Sequence, residues 1–441
     1  MGLLPEFGNL FFTLAAFVVA LSIIVTVHEY GHYIVGRWSG IHAEVFSLGF
    51  GPVLFSRVDR RGTRWQVAAL PLGGYVKFLG DANAASSAAD ETVMAGLDQT
   101  QRRHTMHGAP LWARAATIFA GPAFNFLFSI LVFTAFIGVQ GLPDDTPRLG
   151  AVYPMPGVND LREGDVITAI GGSPVADLAD FYTLAAEAEP AATLTYAITR
   201  DGVVQEVQGP HPLPARAAGI ALNSAARDAG MLTGDVVLAV NDQPVFAFSQ
   251  LPPLVSAANG EAVALRIWRE GAEIDLQLTP RRTDLPSADG GFETRWLIGL
   301  QSGTFFDHPT RRAGPLELVP LAVAEMGKII TQSFSGLYHM VTGAISTCNL
   351  SGPVGIATTS AEMAADGLAS FIWFIAVLST AVGMLNLFPI PILDGGHLVF
   401  HAYEALVGRP PSDRVMGALM TLGLVLLGAL MLFALGNDLF C

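Results

Sequence analysis

The run IIVTVHEYGHYIV, residues 23–35, sets His28, Glu29 and His32 at the end of an apolar stretch, and no charged side chain lies between Gly8 and Val27. Histidines four residues apart on a helix share a face and can both reach one Zn²⁺, with the intervening glutamate beside a water as general base. On a soluble helix the same pattern is often just two surface side chains. Inside a membrane-spanning helix, three unpartnered polar groups would oppose insertion. A cation that takes both imidazoles and faces the acid removes that objection.

Catalytic zinc usually takes three protein ligands and leaves one position for water, so a third ligand is expected at the same depth elsewhere. The segment NLFPIPILDGGH, 386–397, ends an apolar window that begins at Gly367, and Asp394 is its first acid. His397 is a rival ligand; with His401 it reads more simply as surface at the cytoplasmic end. Pro389 and Pro391 forbid a regular helix just before Asp394. Backbone freed at membrane depth is tolerated only where it is buried or lines a wet cavity, and such an opening would admit water and substrate. Asn386 could donate its amide to a peptide carbonyl as charge develops there; the plainer alternative is a helix-packing hydrogen bond. Asn125, in GPAFNF, suits helix packing with Gly121 as well as site lining. His42, His104 and His107 are given no role.

Four windows could carry these residues into a bilayer. Gly8–Val27, Ala115–Val139, Gly367–Leu393 and Val415–Asn437 contain no Asp, Glu, Lys or Arg, and each meets the ~20 residues a spanning helix needs. A chain that is 51% hydrophobic and 14% charged agrees. The first span has no basic region ahead of it and no small-residue cleavage site before His28, so it reads as a retained helix. Arg37, Arg57, Arg60, Arg61, Arg64, Lys77, Arg102 and Arg103 lie between the first two spans. That loop is expected to be cytoplasmic, with both termini and the long middle segment outside. Spans one and three then run in the same direction, and His28, His32 and Asp394 meet near their cytoplasmic ends. A fifth crossing at 316–345 would break that match. The net charge of −14 argues against nucleic acid. Cys348 and Cys441 read most simply as two separate structural thiols, with a disulfide between them as the alternative.

The expected boundaries are a first span at 1–36, a cytoplasmic loop at 37–111, spans at 112–141, 367–396 and 413–437, and soluble segments at 142–209, 210–285 and 286–366. Within the loop, RWQVAALPLGGYVKFLG (64–80) alternates and then breaks at Pro71 and Gly73-Gly74. It reads as a re-entrant hairpin too short to span. Residues 81–108 read as a mobile loop. The apolar spacing over 316–345 suits an amphipathic helix lying on the membrane. In the soluble part, GDVITAIGGSPV (164–175) returns seventy positions later as GDVVLAVNDQPV (234–245), each followed by a helical stretch and a hairpin. This repeat resembles a bacterial PDZ domain, which binds extended peptides by adding a strand to a sheet edge. The alternative is a pair of steric screens without a peptide ligand. The fold class expected is a polytopic α-helical membrane protein of four transmembrane helices plus the re-entrant β-hairpin, with two inserted PDZ-like α+β domains.

HEYGH, ALPLGGYVKFLG, AGPAFNF, the tandem repeats, LSGPVGIA and NLFPIPILDGGH together resemble the site-2 protease family of intramembrane zinc metalloproteases. Within it they are closest to the bacterial branch that carries two periplasmic PDZ domains and regulates a sigma factor. The resemblance covers essentially the whole chain. It implies one Zn²⁺ per chain held by His28, His32 and Asp394, with Glu29 as base and Asn386 clamping substrate. It implies that the hairpin around Gly73 and Gly74 holds the substrate as an added strand, and that the repeats exclude bulky exported domains. The implied substrates are a single-span anti-sigma factor already cut once, and remnant signal peptides, in the bacterial inner membrane. Two other classes remain as alternatives: a PDZ-bearing scaffold with a structural metal, and a metal transporter. The transporter would need polar residues along several spans, and spans two and four lack acids and bases.

Overall fold

The computed structural model describes residues 7–82, 89–221, 223–286 and 292–440. The chain divides into two units. One comprises the chain up to Ile137 together with Pro315–Tyr338 and the segment from Thr347 on; the other comprises Gly138–Gly314 and His339–Ser346.

The first unit holds four helices long and apolar enough to cross a membrane: Leu10–Trp38, Leu111–Gln140, Leu368–Asn386 and Arg414–Phe440. Ala20 and Ile24 of the first span, Phe128 of the second and Ile375 of the third share one apolar cluster. Ser129 donates to the Ala376 carbonyl (2.8 Å) and Ser379 to the Asn125 carbonyl (3.1 Å), bonds that join the second and third spans. Small hydroxyl side chains are well suited to link helices surrounded by lipid. The glycine of HEYGH sets the approach of the first two spans: a Cβ on Gly31 would lie 2.4 Å from the Ala120 carbonyl oxygen.

The third span is shorter than the expected 367–396. Its helix ends at Asn386, and a new helix, Asp394–Val407, begins at the aspartate. The intervening segment contains Pro389 and Pro391, whose missing N–H groups cannot continue the helical ladder. Gly395 and Gly396 let the new helix fold tightly against the break, since a Cβ on either would meet a backbone carbonyl oxygen at 2.3 Å.

The expected hairpin within 64–80 is corrected. Arg64–Phe78 is one long strand whose partner is Ala43–Val58. Phe46, Ser47 and Leu48 are each paired twice, to Val76, Tyr75 and Gly74 on one side and to Trp65, Gln66 and Val67 on the other. Residues 43–48 therefore form the middle of a folded-over sheet. The fold-over needs glycine at Gly49 (φ 86°), where a Cβ would lie 2.7 Å from the Leu70 carbonyl oxygen. Leu54 and Phe55 are 71% and 66% exposed at the sheet's tip. Asp59 ties this sheet to the first span through Trp65 Nε1 (3.2 Å) and Arg37 (3.9 Å).

The loop at 81–108 is more ordered than its composition implies, over the residues described. Short helices at Glu91–Gly96 and Gln99–Arg102 are N-capped by Asp90 and Asp98, and His104 Nδ1 donates to the Gly40 carbonyl (2.6 Å). The two capping aspartates are the signal that composition hid. Residues 83–88 lie outside the described set. The segment at 316–345 forms the helix Pro315–Val341, which is not among the four candidate spans. Ala322 packs with Phe133 and Ala376, while Leu316, Val319 and Phe334 are exposed. Cys348 is disulfide-bonded, which corrects the reading of two separate thiols; Cys441 lies outside the described residues.

In the second unit the sequence repeat becomes two sheets of matching order. The first lobe runs Ser173–Pro174, Val166–Ile170, Leu194–Arg200, Val203–Gly209; the second runs Gln243–Pro244, Val236–Val240, Val263–Arg269, Ala272–Leu278. The aspartate of each Gly-Asp pair is buried and held at both oxygens by an arginine: Asp165 by Arg200 and Asp235 by Arg269, every contact at 2.7 Å. The first lobe does not close at 209. Phe305 and Phe306, from beyond the second lobe, join Ile167, Phe181 and Tyr196 in its core. Hydrogen bonds from Gly150 N to Asp307 O (2.7 Å) and from Tyr153 N to Phe305 O (2.8 Å) fix that segment. Phe306→Ala should therefore cost the first lobe about 3–5 kcal/mol. Amide exchange should then quicken across 166–200 rather than in the second lobe.

Candidate active site

His28 and His32 lie on the first span, near its end, and Asp394 opens the helix after the third. Their Nε2 and Oδ2 atoms converge. The two Nε2 atoms are 3.1 Å apart, and Asp394 Oδ2 lies 3.0 Å from His28 Nε2 and 3.6 Å from His32 Nε2. These side chains retain 12%, 13% and 17% of their exposure. Among the described residues this is the one trio of His, Cys, Asp or Glu ligand atoms within 4.8 Å of one another.

The tautomers show why this arrangement suits a cation. His32 Nδ1 lies 2.8 Å from the Thr117 carbonyl oxygen, which can only accept. The proton therefore sits on Nδ1, and Nε2 turns a lone pair toward Asp394. His28 Nδ1 is 3.3 Å from the Asn125 amide. With that amide turned so that Oδ1 faces the ring, Asn125 accepts from His28 Nδ1–H. This places the otherwise unpartnered Asn125 Oδ1 on a donor and frees the second Nε2 lone pair. Asp394 Oδ2 is itself buried without a hydrogen-bond donor. Three electron-pair donors 3.0–3.6 Å apart repel one another unless a cation joins them. Tetrahedral zinc with bonds of about 2.0–2.1 Å would need donor atoms about 3.3 Å apart. The residues fit the ion.

The second span backs both histidines. Besides Thr117 and Asn125 it supplies Gly121, where a Cβ would fall 2.4 Å from His32 Nε2 and 2.8 Å from His28 Cε1. Glu29 shares a cavity of about 770 Å³ with the trio. Its carboxylate takes a hydrogen bond from the Val76 backbone, and Gly74 leaves room beside it, since a Cβ there would come within 3.3 Å of Glu29 Cγ. Gly74, Tyr75 and Val76 line the cavity. Their strand is paired on one side to Phe46–Leu48. Its other side has no strand partner among the described residues.

Of the substrate-binding residues expected from the sequence, Asn386 and Gly74 line the cavity. Gly73, Pro389 and Pro391 do not. The prolines act by ending the helix before Asp394, and Gly73 (φ 150°) bends the strand where a Cβ would strike the Phe50 ring at 2.5 Å. Asn125 is fully buried behind His28 rather than on the cavity wall. His397 faces the cavity but stands outside the trio. His107 and Arg114, given no role from sequence, also line it. Arg114 donates to both oxygens of Glu404 at 3.0 and 2.6 Å. His401, beside that pair, is pushed down to about 4 by burial and by Arg114, so it stays neutral near pH 7.

Apolar spanning helices enclosing a His–His–Asp trio with an adjacent glutamate define a membrane-embedded metallopeptidase. The profile of peptidase family M50 matches residues 16–430, and the chain belongs to that family, the site-2 proteases; it is a metalloendopeptidase. It is 35% identical over 425 residues to a protein of Agrobacterium fabrum named as a candidate zinc metalloprotease, covering 96% of this chain and 94% of that one. It is 32% identical over 461 residues to the regulator of sigma-E protease of Salmonella typhimurium, covering 98% of this chain and 99% of that one. These findings set aside the scaffold and transporter alternatives.

Proposed function

We propose that this protein hydrolyses peptide bonds inside the transmembrane segments of single-span substrates, using one zinc ion held by His28, His32 and Asp394. The observation that carries the reading is the convergence of three lone-pair donors beside Glu29, in a cavity lined by a strand whose far edge has no strand partner among the described residues. Bound there, zinc would polarise the scissile carbonyl and make water acidic enough to attack near neutral pH. Glu29 takes the proton from the attacking water and passes it to the leaving amine. Asn386, which lines the cavity, would hold the carbonyl through its amide as charge develops. A transmembrane helix hides its backbone, so a substrate has to unwind first. The open edge at Gly74–Val76 offers it hydrogen bonds as an added strand.

The ends of the spans support a depth and an orientation for the site. Trp38, at the C-terminal end of span one, and Trp112, at the N-terminal end of span two, are 74% and 62% exposed, which suits the headgroup level that tryptophan favours. His32 and His28 lie six and ten residues back from Trp38, about 9 and 15 Å along the helix. The arginine-rich loop favours a cytoplasmic location for that end, and the Cys348 disulfide suits an oxidising exterior. The lobes of the second unit then lie outside the bacterial inner membrane, with PDZ-like order, and screen substrates by size or bind peptide ends. The exposed apolar residues of Pro315–Val341 suit a helix seated on the lipid surface. Pre-trimmed anti-sigma factors and remnant signal peptides are substrates of the required kind, and nucleic acid is not a partner. The test is cleavage of a purified single-span substrate with and without a bulky exported domain. Cleavage of only the trimmed form supports the account, and equal cleavage of both removes the screening role.

A further inference from the structure

Asp394 opens a helix of its own. It is not carried on the third span, because the helix stops at Asn386 and restarts only at Asp394. The break is a segment with two prolines, so continuity of the span cannot fix where the carboxylate points. The helix Asp394–Val407 needs a lateral anchor, and the strongest polar one described is Glu404. Its two oxygens receive Arg114 Nη1 and Nη2 at 3.0 and 2.6 Å, and both side chains are largely enclosed, at 17% and 16% exposure. A two-pronged arginine–carboxylate contact fixes direction as well as distance. Arg114 is itself held, its Nε donating to the Ala109 carbonyl at 3.1 Å.

Arg114 lies one turn before Thr117 on the second span, the helix that also supplies Gly121 and Asn125 to the two histidines. One helix thus touches the supports of all three donor atoms. We infer that the Arg114–Glu404 pair is a positioning contact that registers Asp394 against His28 and His32, so that the second span sets the complete ligand geometry. This inference rests on the zinc site proposed above. It adds two residues that neither line up with HEYGH in sequence nor touch the donor atoms.

The test is zinc competition against a chelator, using the full chain in detergent, together with the melting temperature of the ion-free protein. Arg114→Gln and Glu404→Gln should each weaken ion retention about 10–100-fold, the range for contacts that orient ligands from behind. The exchanged pair Arg114→Glu with Glu404→Arg should recover most of it. If the single variants hold zinc as tightly as the unmodified chain, or lose only thermal stability with unchanged ion affinity, the pair is merely structural and the inference fails. Asp394→Ala serves as the control. If it leaves retention unchanged, the metal-site reading itself fails, an outcome distinct from normal retention by the arginine variant alone.

Discussion

Replacing Glu29 by glutamine should lower the cleavage rate by about 10²–10⁴-fold, the usual contribution of a positioned general base, while zinc content stays unchanged. The side chain keeps its length, and an amide oxygen can still accept the Val76 hydrogen bond. What disappears is a group able to take a proton from water and return it to nitrogen. The comparison is made on purified protein with a single-span substrate, alongside metal analysis of the same sample. Full turnover by the variant would remove Glu29 from the mechanism. Loss of zinc together with activity would instead assign Glu29 a part in holding the ion.

The second large effect concerns a residue with no side chain. In Gly121→Ala, the new methyl carbon would sit 2.4 Å from His32 Nε2 and 2.5 Å from its Cε1. A flexible side chain would swing aside. This ring cannot do so without giving up the 2.8 Å contact from Nδ1 to the Thr117 carbonyl. The donor atoms must therefore move apart, and zinc affinity should fall about 100-fold or more, at or beyond the upper end of the range for lost ligand support. Equilibrium competition with a chelator measures the change. Affinity equal to that of the unmodified chain would mean that the second span does not back the histidines as described.

Much of the site was legible because it is local or tied to polarity. His28, Glu29 and His32 stand out as ionisable groups on an apolar helix, and Asp394 as the first acid after a long apolar window. Their shared depth followed from counting basic residues in loops. The supports were not legible, because each depends on contacts between spans. Thr117 contributes only its backbone, Gly121 contributes absence of bulk, and the pair Arg114–Glu404 is separated by 290 positions. The strand Ala43–Val58 is masked in the sequence because its glycines at 49 and 51 interrupt the alternation that marks a strand. The repeat gave both four-stranded sheets of the second unit. It could not show that Phe305 and Phe306 return to the first lobe, since a repeat describes similarity within copies and says nothing of what completes one of them.

The central claim is that His28, His32 and Asp394 jointly bind one catalytic zinc ion within the membrane unit. Its most direct test is the zinc-to-protein ratio of detergent-solubilised protein, for the unmodified chain and for Asp394→Ala, after identical exposure to a moderate chelator. The account predicts one zinc per chain in the first and almost none in the second. No zinc in the unmodified protein, or equal retention by both, would contradict it.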